Sequence, residues 1–144
     1  MIKRKVLLTD DETGFVETLS KRLEKRDFRL AAAFSGDEAL RVLAENPWVD
    51  VVILDVKMPG MDGIETLSRI KLEFPLVEVI MLTGHATVET AIDGMKKGAF
   101  DYLMKPCDID ILTAKVDEAT ARKKAHEEKI VSAKAMAIAN QRGD

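Results

Sequence analysis

The chain has 144 residues, of which 47% are hydrophobic and 33% charged, and its net charge is -3. That length suits one domain with one sizeable core, and the charge argues against a general nucleic-acid binder. No apolar run approaches the roughly 18 residues of a membrane span, and the run after Lys3, Arg4 and Lys5 is too short and too soon acidic for a secretory leader.

Strand and helix patterns alternate along the chain. Val6-Leu7-Leu8 is an apolar run, and Phe15, Val16, Leu19 and Leu23 then recur at helical spacing until Lys25, Arg26 and Asp27. Phe28 to Phe34 is predicted as a second strand. Ser35 with Glu38 forms a capping-box start for a helix carrying Ala39, Leu40 and Leu43, which Asn46-Pro47 stops. A strand over Val49 to Leu54 leads to a loop with Pro59, Gly60 and Gly63. Ile64, Leu67 and Ile70 mark a third helix ending near Phe74-Pro75, and Val77 to Leu82 a fourth strand ending at Thr83-Gly84. A helical stripe of Val88, Ala91, Ile92 and Met95 precedes Gly98, and Phe100 to Met104 forms a fifth strand before Lys105-Pro106. Asp108 can cap a last helix with Ile111, Leu112, Val116 and Ala119.

Such alternation implies right-handed crossovers and a parallel sheet between helical layers, an α/β sandwich of three layers. From about Arg122 the helical pattern runs on through Ala125, Ile130, Ala133, Met136 and Ala137, rich in good helix formers. The expected division is therefore a domain over residues 1–121 and a helical extension or linker over 122–144. The extension reads either as a solvated tail or as a dimerising helix, because Lys123 and His126 interrupt its apolar seam. Cys107 has no partner for a disulfide or a metal site, in keeping with a reducing compartment; the expected location is the cytoplasm.

Chemistry concentrates where the strands end. Asp10 and Asp11 follow the first strand, Asp55 follows the third, and Lys105 follows the fifth. Ligands of doubly wound sheets bind at this rim. Carboxylates about 4 Å apart repel by roughly 4 kcal/mol per pair at an effective dielectric of 20, which a divalent cation would offset. Oxygen-only ligands favour magnesium, which shares its shell with phosphate readily. A single acid at a strand end often does no more than solvate the rim, and a lysine there is often only a surface ion pair; the combined set points to phosphoryl chemistry.

In type and order these motifs resemble the receiver domain of two-component response regulators, from about Lys5 to Ala121. The set is Asp10-Asp11, Asp55 with Met58-Pro59-Gly60-Met61-Asp62-Gly63, Thr83-Gly84 and Lys105-Pro106, and the run Met95 to Pro106 looks most like nitrogen-regulator-type receivers. The resemblance implies a flavodoxin-like, CheY-like fold with strand order 2-1-3-4-5. It also implies Asp55 as acceptor of a phosphoryl group from a sensor histidine kinase or phosphotransfer protein. Asp10, Asp11, Asp55 and the backbone carbonyl of Lys57 would hold Mg2+, Asp10 largely through water. Lys105 would pair with Asp55 and then with the phosphoryl group, before a cis proline bond. Thr83 and Tyr102 would carry the switch.

The resemblance further implies a kinase-docking area near Thr13 and Gly14, and an output surface on the Val88 to Lys97 helix with the strand and helix after it. Phe15, at core spacing, reads as buried rather than as a contact. Lys57 and His85 flank the expected path of hydrolytic water and are expected to obstruct it; His85 otherwise orients a water as base, or is simply solvated. The expected protein is a switch rather than a turnover enzyme, without nucleic-acid or membrane partners. Two alternatives are a haloacid-dehalogenase-like phosphohydrolase, disfavoured because Lys57 replaces that class's second aspartate, and a degenerate receiver serving as a dimerisation scaffold.

Overall fold

The computed structural model describes residues 3–142; Gly143 and Asp144, the end of the expected extension, lie outside the described residues. Five strands, β1 (Arg4–Thr9), β2 (Phe28–Ala33), β3 (Val51–Leu54), β4 (Glu78–Thr83) and β5 (Asp101–Met104), alternate with five helices. These are α1 (Thr13–Glu24), α2 (Gly36–Glu45), α3 (Gly63–Glu73), α4 (Val88–Lys96) and α5 (Ile109–Arg142). The strands form one parallel sheet in the order β2-β1-β3-β4-β5, as the family resemblance implies.

The central strands are apolar on both faces because both faces are covered. Leu7, Val52, Leu54, Val79 and Met81 pack with Ala39, Val42 and Leu43 of α2 and Ile64, Leu67 and Ile70 of α3. The alternate residues Val6, Leu8, Val51, Ile53, Ile80 and Leu82 pack with Val16, Leu19 and Leu23 of α1 and Ile109, Leu112, Val116 and Ala119 of α5. Each fully buried aliphatic side chain contributes roughly 1.5–3 kcal/mol of transfer free energy. The α4 stripe behaves differently: Val88 is 76% exposed, and Ile92 and Met95 are exposed as well.

Local signals set the boundaries. Ser35 Oγ accepts from the Glu38 N–H, so one arm of the expected capping box forms; the box with both arms is Thr87 with Thr90, at the start of α4. Asp62 caps α3, and Asp108 accepts from the N–H groups of Asp110 and Ile111 at the start of α5. β3 and β4 begin later than expected, since the N–H of Val49 bonds to Asn46 O and that of Val77 to Phe74 O, in turns. Both side chains are nonetheless buried.

At the amino ends of the strands, Glu78 is 1% exposed. The Lys71 ammonium spends its three donors on Pro75 O, Val77 O and Glu78 Oε1. Arg122 pairs with Glu78 Oε2 as a charge contact. Lys123 bridges Asp50 at 3.0 Å and Glu127 at 2.9 Å. The pairs of Arg122 with Glu78 and of Lys123 with Asp50 hold α5 against the base of the sheet just beyond residue 121, whereas every residue from Glu128 to Gln141 is exposed.

Candidate phosphoacceptor site

The register of the sheet assembles the site. Thr9 lies opposite Leu54, so the next residues, Asp10 and Asp55, emerge side by side, and the Asp55 N–H bonds to Thr9 O. Thr83 lies opposite Met104, and the Lys105 N–H bonds to Thr83 O, which brings Lys105 to the same rim. One carboxylate oxygen from each of Asp10, Asp11 and Asp55 lies within 4.8 Å of the others; Asp10 and Asp55 are buried and Asp11 is exposed.

The Lys105 ammonium is 2.6 Å from Asp10 Oδ2, 3.7 Å from Asp55 Oδ2 and 3.9 Å from Glu12 Oε1. The shorter pair is thus with Asp10 rather than with Asp55. The remaining Asp10 oxygen accepts from the Glu12 N–H, and Asp55 Oδ1 from the Val56 N–H. Burial pulls the Lys105 pKa down, but its hydrogen bond to Asp10 and the charges of Asp10, Asp55 and Glu12 outweigh that and raise it above the ordinary lysine value. Three carboxylates with one ammonium among them leave an excess of negative charge in a part-buried pocket. Hard oxygen donors that converge in this way fit a small divalent cation.

The loop after β3 closes tightly under Asp55. A Cβ on Gly63 would stand 2.0 Å from the Asp55 carbonyl oxygen, so only glycine lets the start of α3 come this near. The Gly63 N–H bonds to Val56 O at 2.7 Å. Gly60, at φ +74, makes the turn before it. A cleft of about 430 Å³ lined by Asp11, Glu12, Lys57, Met58, Pro59 and His85 opens beside the acids, with Lys57 and His85 exposed on its walls.

Thr83 is buried, and its Oγ1 accepts from the His85 N–H, leaving its own proton to donate. Tyr102 is half-buried, with its hydroxyl 2.7 Å from Thr90 Oγ1 and its ring beside Gly94 of α4. The Lys105-Pro106 bond is cis. Two neighbours went unassigned in the sequence. Glu12 adds a third acid within reach of Lys105, and Phe15, expected in the core, is half-buried with the Lys105 Nζ 3.9 Å from its ring centre. Phe15 shares the helical spacing of the core residues, so periodicity alone could not single it out.

Residues 6–117 match the response regulator receiver domain. The chain belongs to this family. It is 40% identical over 116 residues to the transcriptional regulatory protein ZraR of Escherichia coli (strain K12), covering 81% of this chain and 26% of that one. It is 41% identical over 109 residues to a putative NtrX-like response regulator of Rickettsia bellii, covering 74% of this chain and 23% of that one. A response regulator receiver domain structure from Clostridium thermocellum superposes with a TM-score of 0.80 at 40% identity, covering 84% of this chain and 97% of that one. The nitrogen-regulator-like look of the sequence has its counterpart in the NtrX-like relative.

Family membership makes the chain a two-component receiver and removes the phosphohydrolase alternative. The expectation of no nucleic-acid partner is corrected: a relative it matches is a transcriptional regulatory protein, and the chain spans only about a quarter of that relative's length. The charge of a receiver is silent about what the remainder of such a regulator touches. No helix among the described residues is long and apolar enough to cross a membrane.

Proposed function

We propose that Asp55 takes up a phosphoryl group from the phosphohistidine of a sensor kinase, and that Asp10, Asp11, Asp55 and the backbone carbonyl of Lys57 hold Mg2+ there. The observation that carries this reading is the convergence of the three carboxylates, within 4.8 Å of one another, at the carboxyl rim, with one lysine beside Asp10 and Asp55. Bound magnesium supplies neutralisation of the phosphoryl oxygens. An Asp55 oxygen forms the new P–O bond as the P–N bond breaks, and the donor imidazole, protonated on its other nitrogen, leaves as the neutral ring. Lys105 then gives its ammonium to the phosphoryl oxygens, to which Thr83 donates its hydroxyl proton.

Movement of Thr83 draws the loop with His85 inward, and Tyr102 gives up Thr90 to follow; the shift is limited by the contacts that differ between the two states. The exposed Val88, Ile92 and Met95 support α4 as the face that reports it. Lys57 and His85, on the cleft walls, slow attack by water. The output is transcription, the process named for the ZraR relative. The receiver occupies residues 1–121 and the helical extension 122–144, in the cytoplasm, and the chain acts as a switch without turnover of a substrate.

Incubation with Mg2+ and a small phosphodonor tests the reading by mass. Wild type gains one phosphoryl group, and both Asp55→Ala and chelation of the metal prevent it. A wild type that stays unmodified, or an Asp55→Ala protein that gains the group, removes it. Lys57→Ala with His85→Ala speeds loss of the phosphoryl group; an unchanged lifetime removes the shielding role.

A further inference from the structure

Lys105 has two kinds of neighbour, and only one is acidic. Asp10, Asp55 and Glu12 attract its ammonium from the rim, and on these contacts alone it would settle on whichever carboxylate is nearest. The Phe15 ring, in the first turns of α1, meets the same ammonium at 3.9 Å from its centre. An aromatic face attracts a cation through its quadrupole without neutralising it. Phe15 also lines the small cavity beneath Asp10 and Asp55, and a second one with Lys105, Pro106 and Cys107, so its ring stands between α1 and the loop after β5.

We propose that Phe15 is a positioning residue for phosphoryl transfer: its ring holds the Lys105 ammonium over the Asp10–Asp55 pair while leaving its charge available to the incoming phosphoryl oxygens. A carboxylate in the place of the ring would hold the lysine equally well but spend its charge. A saturated side chain would fill the space without attracting it. The flexible lysine stem, with four rotatable bonds, would then sample other contacts on the rim. The inference rests on Asp55 as acceptor and Lys105 as its cation, and it adds the group that aims that cation.

The test compares Phe15→Leu, which keeps an apolar side chain, with Phe15→Tyr, which keeps the aromatic face. Each is made in the wild-type background and in Lys105→Met. With Mg2+ and acetyl phosphate, Phe15→Leu is expected to slow phosphoryl gain roughly three- to tenfold, the range of a partly exposed cation–π contact. Phe15→Tyr is expected to restore the rate, and in Lys105→Met the choice at position 15 is expected to make no difference. In NMR spectra without any donor, the Lys105 side-chain methylene next to the ammonium is expected upfield from the ring current in wild type and Phe15→Tyr, and at its ordinary position in Phe15→Leu.

An equal loss from Phe15→Leu in both backgrounds overturns the proposal, because the ring then acts through packing alone. So does an unshifted Lys105 methylene in wild type. A wild type that carries the upfield signal yet gains no phosphoryl group overturns the acceptor assignment and, with it, the role of Phe15 in transfer. A wild type that gains the group at the same rate as Phe15→Leu overturns this inference alone.

Discussion

At the carboxyl rim of the sheet, Asp10, Glu12 and Asp55 share one lysine with Asp11 close by, while at the amino rim Asp50 and Glu78 face Lys71, Arg122 and Lys123. The residue types are the same and each rim holds a carboxylate almost wholly withdrawn from water, Asp55 at one and Glu78 at the other, so neither acidity nor burial separates a reactive site from a structural one. Charge balance does. At the amino rim each carboxylate has at least one cation, and the pairs fasten α5 and the end of α3 to the sheet. At the carboxyl rim negative charge exceeds positive, and the surplus is of the kind a divalent cation relieves.

Substitutions that remove a charge should therefore have opposite signs at the two rims. The largest effect is expected from Lys71→Met combined with Arg122→Met, which leaves the buried Glu78 carboxylate without a cation and costs about 3–5 kcal/mol. Urea unfolding measures this, and a loss no greater than that of an exposed ion pair would erase the distinction between the rims. Next comes Gly63→Ala, expected to cost about 1–3 kcal/mol because the new methyl overlaps the Asp55 carbonyl and the backbone must shift. Its phosphoryl uptake should fall too, since the same shift moves the acceptor.

For removal of a charge at the carboxyl rim the sign reverses. Asp11→Asn removes one of the crowded charges and is expected to raise stability in chelator by up to about 1 kcal/mol, the screened scale of an exposed charge pair. The same variant should lose most of the stabilisation that Mg2+ confers on wild type. If Asp11→Asn is destabilising in chelator, the surplus of charge is not a source of repulsion.

The smallest effect is expected from pH. Burial depresses the pKa of Lys123, but its bonds to Glu127 and Asp50 outweigh this and raise it. A folded-state value above the unfolded one, about 10.4 for lysine, makes the contribution of Lys123 complete below that pH and lost as pH climbs through the higher folded value. The stability gap between wild type and Lys123→Met should hold at neutral pH and narrow only in alkali.

Much of this arrangement was legible in the chain. The apolar runs of β1, β3 and β4 are covered on both faces, so composition alone marked them, and their ends placed Asp10, Asp11, Asp55 and Thr83. The amino rim was not legible: Glu78 and Arg122 are far apart in sequence, and an acid opening a strand looks no different from a solvated one. Phe15 was hidden by serving two purposes, since its spacing matches the buried stripe of α1 while its ring meets Lys105. The stripe on α4 misled in the other direction, because helical periodicity reports that one face is apolar without saying that anything covers it.

The length of α5 has a mechanical consequence. Beyond Lys123 the helix continues to Arg142, and every side chain from Glu128 to Gln141 is exposed, so at 1.5 Å per residue it projects about 29 Å, and a tilt of about 5° at its root would sweep the far end by about 2–3 Å. The root is clamped by Arg122 and Lys123 to the starts of β4 and β3. A rod gripped in this way amplifies small motions of the sheet into displacements at its tip.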